Sequence, residues 1–376
     1  MSHEILSGYG SIEQLSGILK ESAPKHILLV TGEQSYVSCG AEKSLEPLLA
    51  PYAYTRFSDF EVNVKLTDLE RGIDLAARHQ CDFVIGIGGG SVMDMAKAIA
   101  LLAGQEGSLE AVIKGDAEIV GRDIGSVMIP TTAGTGSESD RYSVVYVGKT
   151  KYSLTHDSNL PDYAILDATF TSDLPKPITA VTGMDAVAQA IESYWSVKST
   201  DASRALSKQA LELGLAHLEG AVNSPTQEHR EQMLIAANLA GQAIHIASTT
   251  APHAVSYPMT SYFEVAHGQA VGVTLPSFFE YNCGVDADNV QNGISVEDAQ
   301  QRMQELLEIL GVETGKEANV KLTALMKSIG LDTTLSALGV TDTDVVVKHG
   351  FNPARMGNNP RKVAEGDLKT LLAGLH

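Results

Sequence analysis

Two histidines, His253 and His267, bracket the run Ala-Val-Ser-Tyr-Pro-Met-Thr-Ser-Tyr-Phe-Glu-Val-Ala. Neutral imidazole is a common metal ligand. Two histidines alone are more often satisfied core or surface residues. A second set of residues changes that balance. Upstream lies Thr182-Gly-Met-Asp185-Ala-Val-Ala-Gln189-Ala-Ile-Glu192, which has a helical pattern. Asp185 and Gln189 are four apart and share one helix face. An aspartate on a helix followed by two histidines makes an oxygen and nitrogen donor set suited to a divalent metal.

Two glycine-rich loops carry a different chemistry. Gly86-Ile-Gly-Gly-Gly90-Ser91-Val-Met-Asp94-Met-Ala-Lys97 follows an apolar strand and opens a helix. Glycines let the backbone approach a pyrophosphate, and N–H groups at a helix start favour anions. Ser91 stands where the usual dinucleotide fingerprint ends in glycine. Pro130-Thr131-Thr132-Ala-Gly-Thr135-Gly-Ser137-Glu138 also follows a strand and is rich in hydroxyls. Two such loops at the carboxyl ends of parallel strands suit a ligand crevice.

The elements that must position these residues change character along the chain. The first part predicts strands at 26–31, 81–87, 126–130 and 163–167, with a short one near the N-terminus. Helices are predicted at 11–19, 40–50, 66–79 and from Ser91, and a hairpin over 142–155 turns near Gly148-Lys149. Alternating strands and helices predict an α/β unit with a parallel sheet. From Ile178 onward strand signal almost vanishes. Helices are predicted at about 178–196, 203–222, 227–247, 268–282, 297–311, 316–329 and 364–374. The expected domains are 1–176 and 177–376, joined at Leu174-Pro-Lys-Pro177.

The 376 residues and ordinary apolar content fit a two-domain globular protein. The net charge of −19 argues against nucleic acid and anionic membranes as partners. Cys39, Cys81 and Cys283 are widely spaced, without a CxxC, which points to a reduced, cytoplasmic setting. The first residues, Met-Ser-His-Glu-Ile-Leu, predict no secretory leader.

The motifs taken together resemble the iron-containing (group III) alcohol dehydrogenase family. They are Gly88-Gly-Gly-Ser-x-x-Asp94-x-Ala-Lys97, Thr131-Thr-Ala-Gly-Thr-Gly-Ser-Glu138, Leu160-Pro-Asp162, Thr182-Gly-Met-Asp185, and His253 with His267-Gly268. The resemblance implies a Rossmann-like nucleotide-binding domain followed by an all-α, dehydroquinate synthase-like domain. It implies NAD(P)H and one divalent metal, iron or zinc, as cofactors, and a homodimer or larger homo-oligomer. Asp185, His253 and His267 match three of the family's metal ligands. Gln189 stands where the family has a further histidine. It is either a weaker, neutral oxygen ligand or a hydrogen-bonding neighbour.

The resemblance also implies residue roles. Gly88, Gly89, Gly90, Ser91, Asp94, Thr131, Thr132, Thr135 and Ser137 would bind cofactor, with Lys151 near the nicotinamide ribose. Gly32 replaces an aspartate that in the family repels a 2′-phosphate, so NADPH should be tolerated unless Glu33 supplies that carboxylate. His267 and Tyr257 are the catalytic candidates. Tyr257 occupies a position often held by histidine, as a proton relay or an aromatic wall.

Within the family, Glu192-Ser-Tyr-Trp-Ser-Val197, Thr249-Thr-Ala-Pro-His-Ala-Val-Ser-Tyr-Pro258 and Asn358-Asn-Pro-Arg361 look like the phosphonoacetaldehyde reductase branch, to which sulfoacetaldehyde reductases are related. The expected substrate is a two-carbon aldehyde bearing phosphonate or sulfonate. Thr250 and Arg361 are the first candidates to hold its anion, with Lys362 or Arg355 near in sequence and Arg141 or Lys151 as the second choice. A general short-chain alcohol dehydrogenase and a noncatalytic nucleotide-binding relative are the alternatives.

Overall fold

The computed structural model describes residues 3–375. They divide into two compact units after Leu174. The first unit runs β1 (Glu4–Ser7), α1 (Leu15–Ser22), β2 (Ile27–Thr31), α2 (Ser35–Ser38), α3 (Ala41–Leu49), β3 (Tyr54–Phe57), α4 (Leu66–Arg78) and β4 (Phe83–Gly88). It continues with α5 (Gly90–Leu102), α6 (Leu109–Lys114), β5 (Gly125–Pro130), β6 (Tyr142–Val147), β7 (Thr150–Thr155) and β8 (Tyr163–Leu166). Six strands form one sheet in the order β1-β8-β5-β4-β2-β3, and all its pairs are parallel.

The sheet is covered on both faces, and its inner strands β2, β4, β5 and β8 are buried nearly throughout. Successive side chains alternate between faces. Leu28, Val30, Val84 and Met128 meet the apolar residues of α4 and α5. Ile27, Leu29, Ile85, Ile87, Val127 and Ile129 meet those of α1 and α3. Gly86 lets α5 close onto the sheet, since a Cβ there would lie 2.7 Å from both Ala96 Cβ and Met128 Sδ. The register aligns Thr31 with Ile87 and Gly88 with Pro130, so the loops after β2, β4 and β5 leave the same edge of the sheet. β3 lies to one side of β2 and β4 to the other, which makes this edge the switch point of the sheet. The hairpin β6–β7 is a separate antiparallel pair turning at Gly148, φ +61°.

The second unit contains α7 (Lys176–Trp195), α8 (Asp201–Asn223), α9 (Gln227–Ala247), α10 (Ala251–Phe263), α11 (His267–Cys283), α12 (Val296–Leu310), α13 (Gly315–Ser328), α14 (Thr343–Gly350), α15 (Pro353–Met356) and α16 (Glu365–Ala373). α7 is buried almost all round and packs on α8, α9 and α11. A helix surrounded in this way can carry polar residues only where they find partners. Among the described residues no helix is long and apolar enough to cross a membrane.

Six elements have no counterpart in the sequence pattern, and two of them, α2 and α15, are four residues long. β3 is a short edge strand of half-exposed residues interrupted by Arg56, so it lacks a buried run. α10 was read as a mixed run because Pro258 lies inside it; Pro252 sits in its first turn, where no backbone N–H is needed. α6 and α14 are short, at six and eight residues, and their apolar pattern is correspondingly brief.

Candidate metal centre and nucleotide loops

Asp185, Gln189 and Glu192 lie at i, i+4 and i+7 on one face of α7, and each is at most 4% exposed. α10 starts just after Thr250, and its first turn carries His253. The helix ends at Glu264 in the left-handed conformation, φ +59°, and a short turn leads into α11 at His267. Gly268 allows that helix start to touch α7. A Cβ at this position would lie 2.0 Å from the Val181 carbonyl oxygen. No side chain fits, which is the physical reason for a glycine directly after the second histidine.

His253 Nε2 lies 3.4 Å from Asp185 Oδ1, and His267 Nε2 lies 4.0 Å from the same oxygen. One donor atom from each of the three residues falls within 4.8 Å of the others. Donors bound tetrahedrally at about 2.1 Å lie about 3.4 Å apart. The residues therefore fit a divalent ion with small side-chain adjustments. His253 is 4% exposed, whereas the His267 side chain is 32% exposed, so the latter marks the open side of the cluster.

Glu192 is the residue that sequence reasoning passed over. Its carboxylate accepts from His253 Nδ1 and, at 2.9 Å each, from the Thr250 N–H and hydroxyl. The bond to Nδ1 fixes the tautomer and turns Nε2 toward Asp185. Its signal was available: an acid two turns after Asp185 on the same face of an apolar helix needs a buried partner. Burial lowers the His253 pKa, but Glu192 and Asp185 outweigh it and raise it to about 10. On the other ring, Ser256 Oγ lies 3.4 Å from His267 Nδ1. The Tyr257 ring stacks beside His267 with centroids 6.2 Å apart.

The Gln189 amide donates from Nε2 to Asp185 Oδ2 at 3.2 Å. Its Oε1 is buried and accepts no hydrogen bond among the described residues. Leaving a buried carbonyl unpaired costs about 1–3 kcal/mol.

Two residues expected to hold the substrate anion have other partners in the structure. Thr250 is fully buried and spends its hydroxyl on Glu192 while accepting from Trp195 Nε1 at 2.9 Å. It has no donor left for an anion. Arg361 lies over the Tyr281 ring at 3.9 Å and donates to the Tyr281 carbonyl at 2.7 Å. Tyr281 is at the far end of the 17-residue α11 from His267, about 20 Å along the axis. Arg361 is a structural cation that fastens the chain to α11. Arg355 lies nearer: its guanidinium donates to Ser248 Oγ, just ahead of α10. Arg141 pairs with Asp157 at 2.6 Å.

In the first unit the predicted loops come together. A Cβ on Gly90 would lie 2.7 Å from Thr135 Cγ2, and one on Gly89 would lie 3.4 Å from Thr132 Cγ2. Gly88 is bonded through its carbonyl to the Thr131 N–H at 2.9 Å. α5 starts at Gly90, within the first of these loops, which therefore forms the N-terminus of the helix. Ser91 Oγ accepts from the Asn63 N–H. Ser137 Oγ donates to Asp94 Oδ1 at 2.7 Å, and the Val144 N–H donates to Asp94 Oδ2, so this pair braces one loop against the other. Lys151 lies on β7 opposite Tyr146. At the end of β2, Gly32 follows Thr31, and a cation absent from the sequence reading stands beside it. Arg56 donates to Thr31 Oγ1 at 2.8 Å and to the carbonyls of Gly32 and Glu33.

The profile of iron-containing alcohol dehydrogenase matches residues 2–168, and that of the Fe-containing alcohol dehydrogenase family C-terminal region matches 179–375. Long-chain-alcohol dehydrogenase 1 of Geobacillus thermodenitrificans is 30% identical over 97% of this chain and 93% of its own. The 1,3-propanediol dehydrogenase of Klebsiella pneumoniae is 30% identical over 92% of this chain and 90% of its own. Among solved structures, sulfoacetaldehyde reductase from Bifidobacterium kashiwanohense in complex with NAD+ superposes with a TM-score of 0.87. It is 29% identical and covers 99% of this chain and 96% of that one.

Proposed function

The chain belongs to the iron-containing alcohol dehydrogenase family of oxidoreductases, and from that premise we propose that it reduces a small anionic two-carbon aldehyde to the alcohol with NAD(P)H. The observation that carries the reductase reading is the cluster of Asp185, His253 and His267 with Glu192 behind it. A bound divalent metal supplies Lewis-acid polarisation of a carbonyl oxygen, and the nicotinamide supplies the hydride. Asp185, His253 and His267 would hold the metal. Glu192 and Ser256 keep the two rings turned toward it. The Tyr257 phenol, beside His267, carries the proton that completes the alcohol.

The paired loops at Gly88–Ser91 and Thr131–Ser137 bind the pyrophosphate, with Asp94 bracing them and Lys151 serving the nicotinamide ribose. Gly32 carries no carboxylate to repel a 2′-phosphate, and Arg56 beside it offers a cation. NADPH is therefore used as well as NADH.

The anionic substrate is supported by likeness to sulfoacetaldehyde reductase and by Arg355 near the start of α10. The second reading is an uncharged short-chain aldehyde. It is favoured by Thr250 and Arg361 being committed to other partners and by the 1,3-propanediol and long-chain alcohol relatives. Rates of NAD(P)H oxidation with sulfoacetaldehyde, phosphonoacetaldehyde and propionaldehyde separate the two. Equal kcat/KM for all three removes the anionic reading. Full activity after exhaustive chelation removes the metal mechanism itself.

A further inference from the structure

We propose that Gln189 is a fourth metal ligand through Oε1, and that this oxygen makes the centre less selective for zinc over manganese than an aspartate with three imidazoles would be. The inference rests on the metal-centre reading above. The assignment of the amide follows from charge. The atom 3.2 Å from Asp185 Oδ2 must be the N–H donor, because a carbonyl oxygen there would face a carboxylate oxygen. The other amide atom is then the carbonyl oxygen. Gln189 is 4% exposed, and Oε1 accepts no hydrogen bond among the described residues. Buried carbonyls are nearly always partnered, so a bare one beside a metal-binding carboxylate points to a cation. The same amide holds Asp185 Oδ2 and leaves Oδ1 on the side of the two imidazoles.

The donor set is then two oxygens and two nitrogens. Imidazole suits zinc, iron and nickel, whereas carbonyl and carboxylate oxygens suit manganese and magnesium. Exchanging one imidazole for a carbonyl therefore weakens zinc binding more than manganese binding.

The test uses the full chain, stripped of metal by a chelator and titrated separately with Zn2+ and Mn2+ in a calorimeter. Gln189→Met keeps the size but removes both amide functions. Gln189→Glu keeps an oxygen donor and removes the N–H. Gln189→His installs the imidazole. Gln189→Met should weaken both metals at least about tenfold, and Gln189→Glu should bind both at least as well as the wild type. Gln189→His should raise the ratio of zinc to manganese affinity by about tenfold or more. The visible bands of the Co2+-loaded wild type should differ from those of Gln189→Met. The inference is overturned if Gln189→Met binds both metals as the wild type does, with the same cobalt bands. It is also overturned if Gln189→Glu loses as much as Gln189→Met, because the N–H to Asp185 would then be what matters. A wild-type protein that binds neither metal overturns the metal-centre reading as well.

Discussion

Glu192 decides which nitrogen of His253 is offered to a metal, although it is not itself in the donor cluster. Its carboxylate is fully buried and takes the ring's Nδ1–H, so the ring cannot turn without leaving a charge unpaired. Glu192→Ala should lower metal affinity by about 10–100-fold, with Glu192→Gln losing less because it keeps an acceptor. Competition against a chelator of known affinity measures both. Wild-type affinity in Glu192→Ala would mean that packing alone holds the ring. Arg56 makes a similar argument for the nucleotide. Its guanidinium sits at the end of β2 beside Gly32 and lies 4.7 Å over the Tyr36 ring. Arg56→Ala should cut kcat/KM for NADPH about tenfold more than for NADH, the scale of one charge-assisted hydrogen bond. An equal loss with both cofactors would assign Arg56 to the loop alone.

Elements set these residues in place by close contacts that the sequence only partly announces. Gly268 brings α11 against α7 with no room for a Cβ. Gly268→Ala should therefore destabilise by about 3 kcal/mol or more, since a backbone carbonyl must move. A denaturation midpoint close to the wild type would contradict this. The ligand triad was legible because Asp185 lies on a periodic helix and the histidines carry a motif. Glu192 was legible only as a charge in an apolar face. Arg56 and α10 were not legible, because one lies on a short half-exposed strand and the other is a helix with an internal proline. Thr250 and Arg361, expected on motif likeness to meet an anion, both engage protein groups. Motif likeness marks a residue as important, and here the importance is a hydrogen bond to Glu192 and a clamp on Tyr281.

A buried charge cluster in the first unit gives a pH dependence at the same scale. Lys97 is 1% exposed and pairs with Asp140 at 2.8 Å, while Asp94 Oδ1 lies 4.0 Å away. Burial pushes Asp140 up from 3.8 to about 7, with Lys97 opposing and Asp94 assisting. A carboxyl whose folded pKa is raised adds its stability below the unfolded pKa and loses it as pH rises through the folded one. The wild type should thus lose thermal stability relative to Asp140→Asn from about pH 4 to about pH 7. A gap that stays constant over that range would show the Lys97 pairing to be dominant.

Across the whole molecule, charge and proposed substrate stand in tension. The chain carries a net charge of −19, so its far field repels a sulfonate or phosphonate. A cation such as Arg355 acts only at short range, within roughly one Debye length of about 8–10 Å at ordinary salt. Between these two fields, added salt has opposite effects. It relieves the long-range repulsion that slows approach and weakens the short-range attraction that holds the bound anion. The first effect should dominate kcat/KM at low ionic strength, because the screening length there reaches about 30 Å at 0.01 M. For an anionic aldehyde, kcat/KM should then rise about two- to three-fold as salt goes from about 0.01 to about 0.15 M. Propionaldehyde, with no charge to steer, should stay flat over the same range. Steady-state rates with both aldehydes at matched cofactor saturation give the answer. A fall for the anionic aldehyde would place a dominant cationic field at the site. Flat profiles for both would mean that the far field does not limit the reaction.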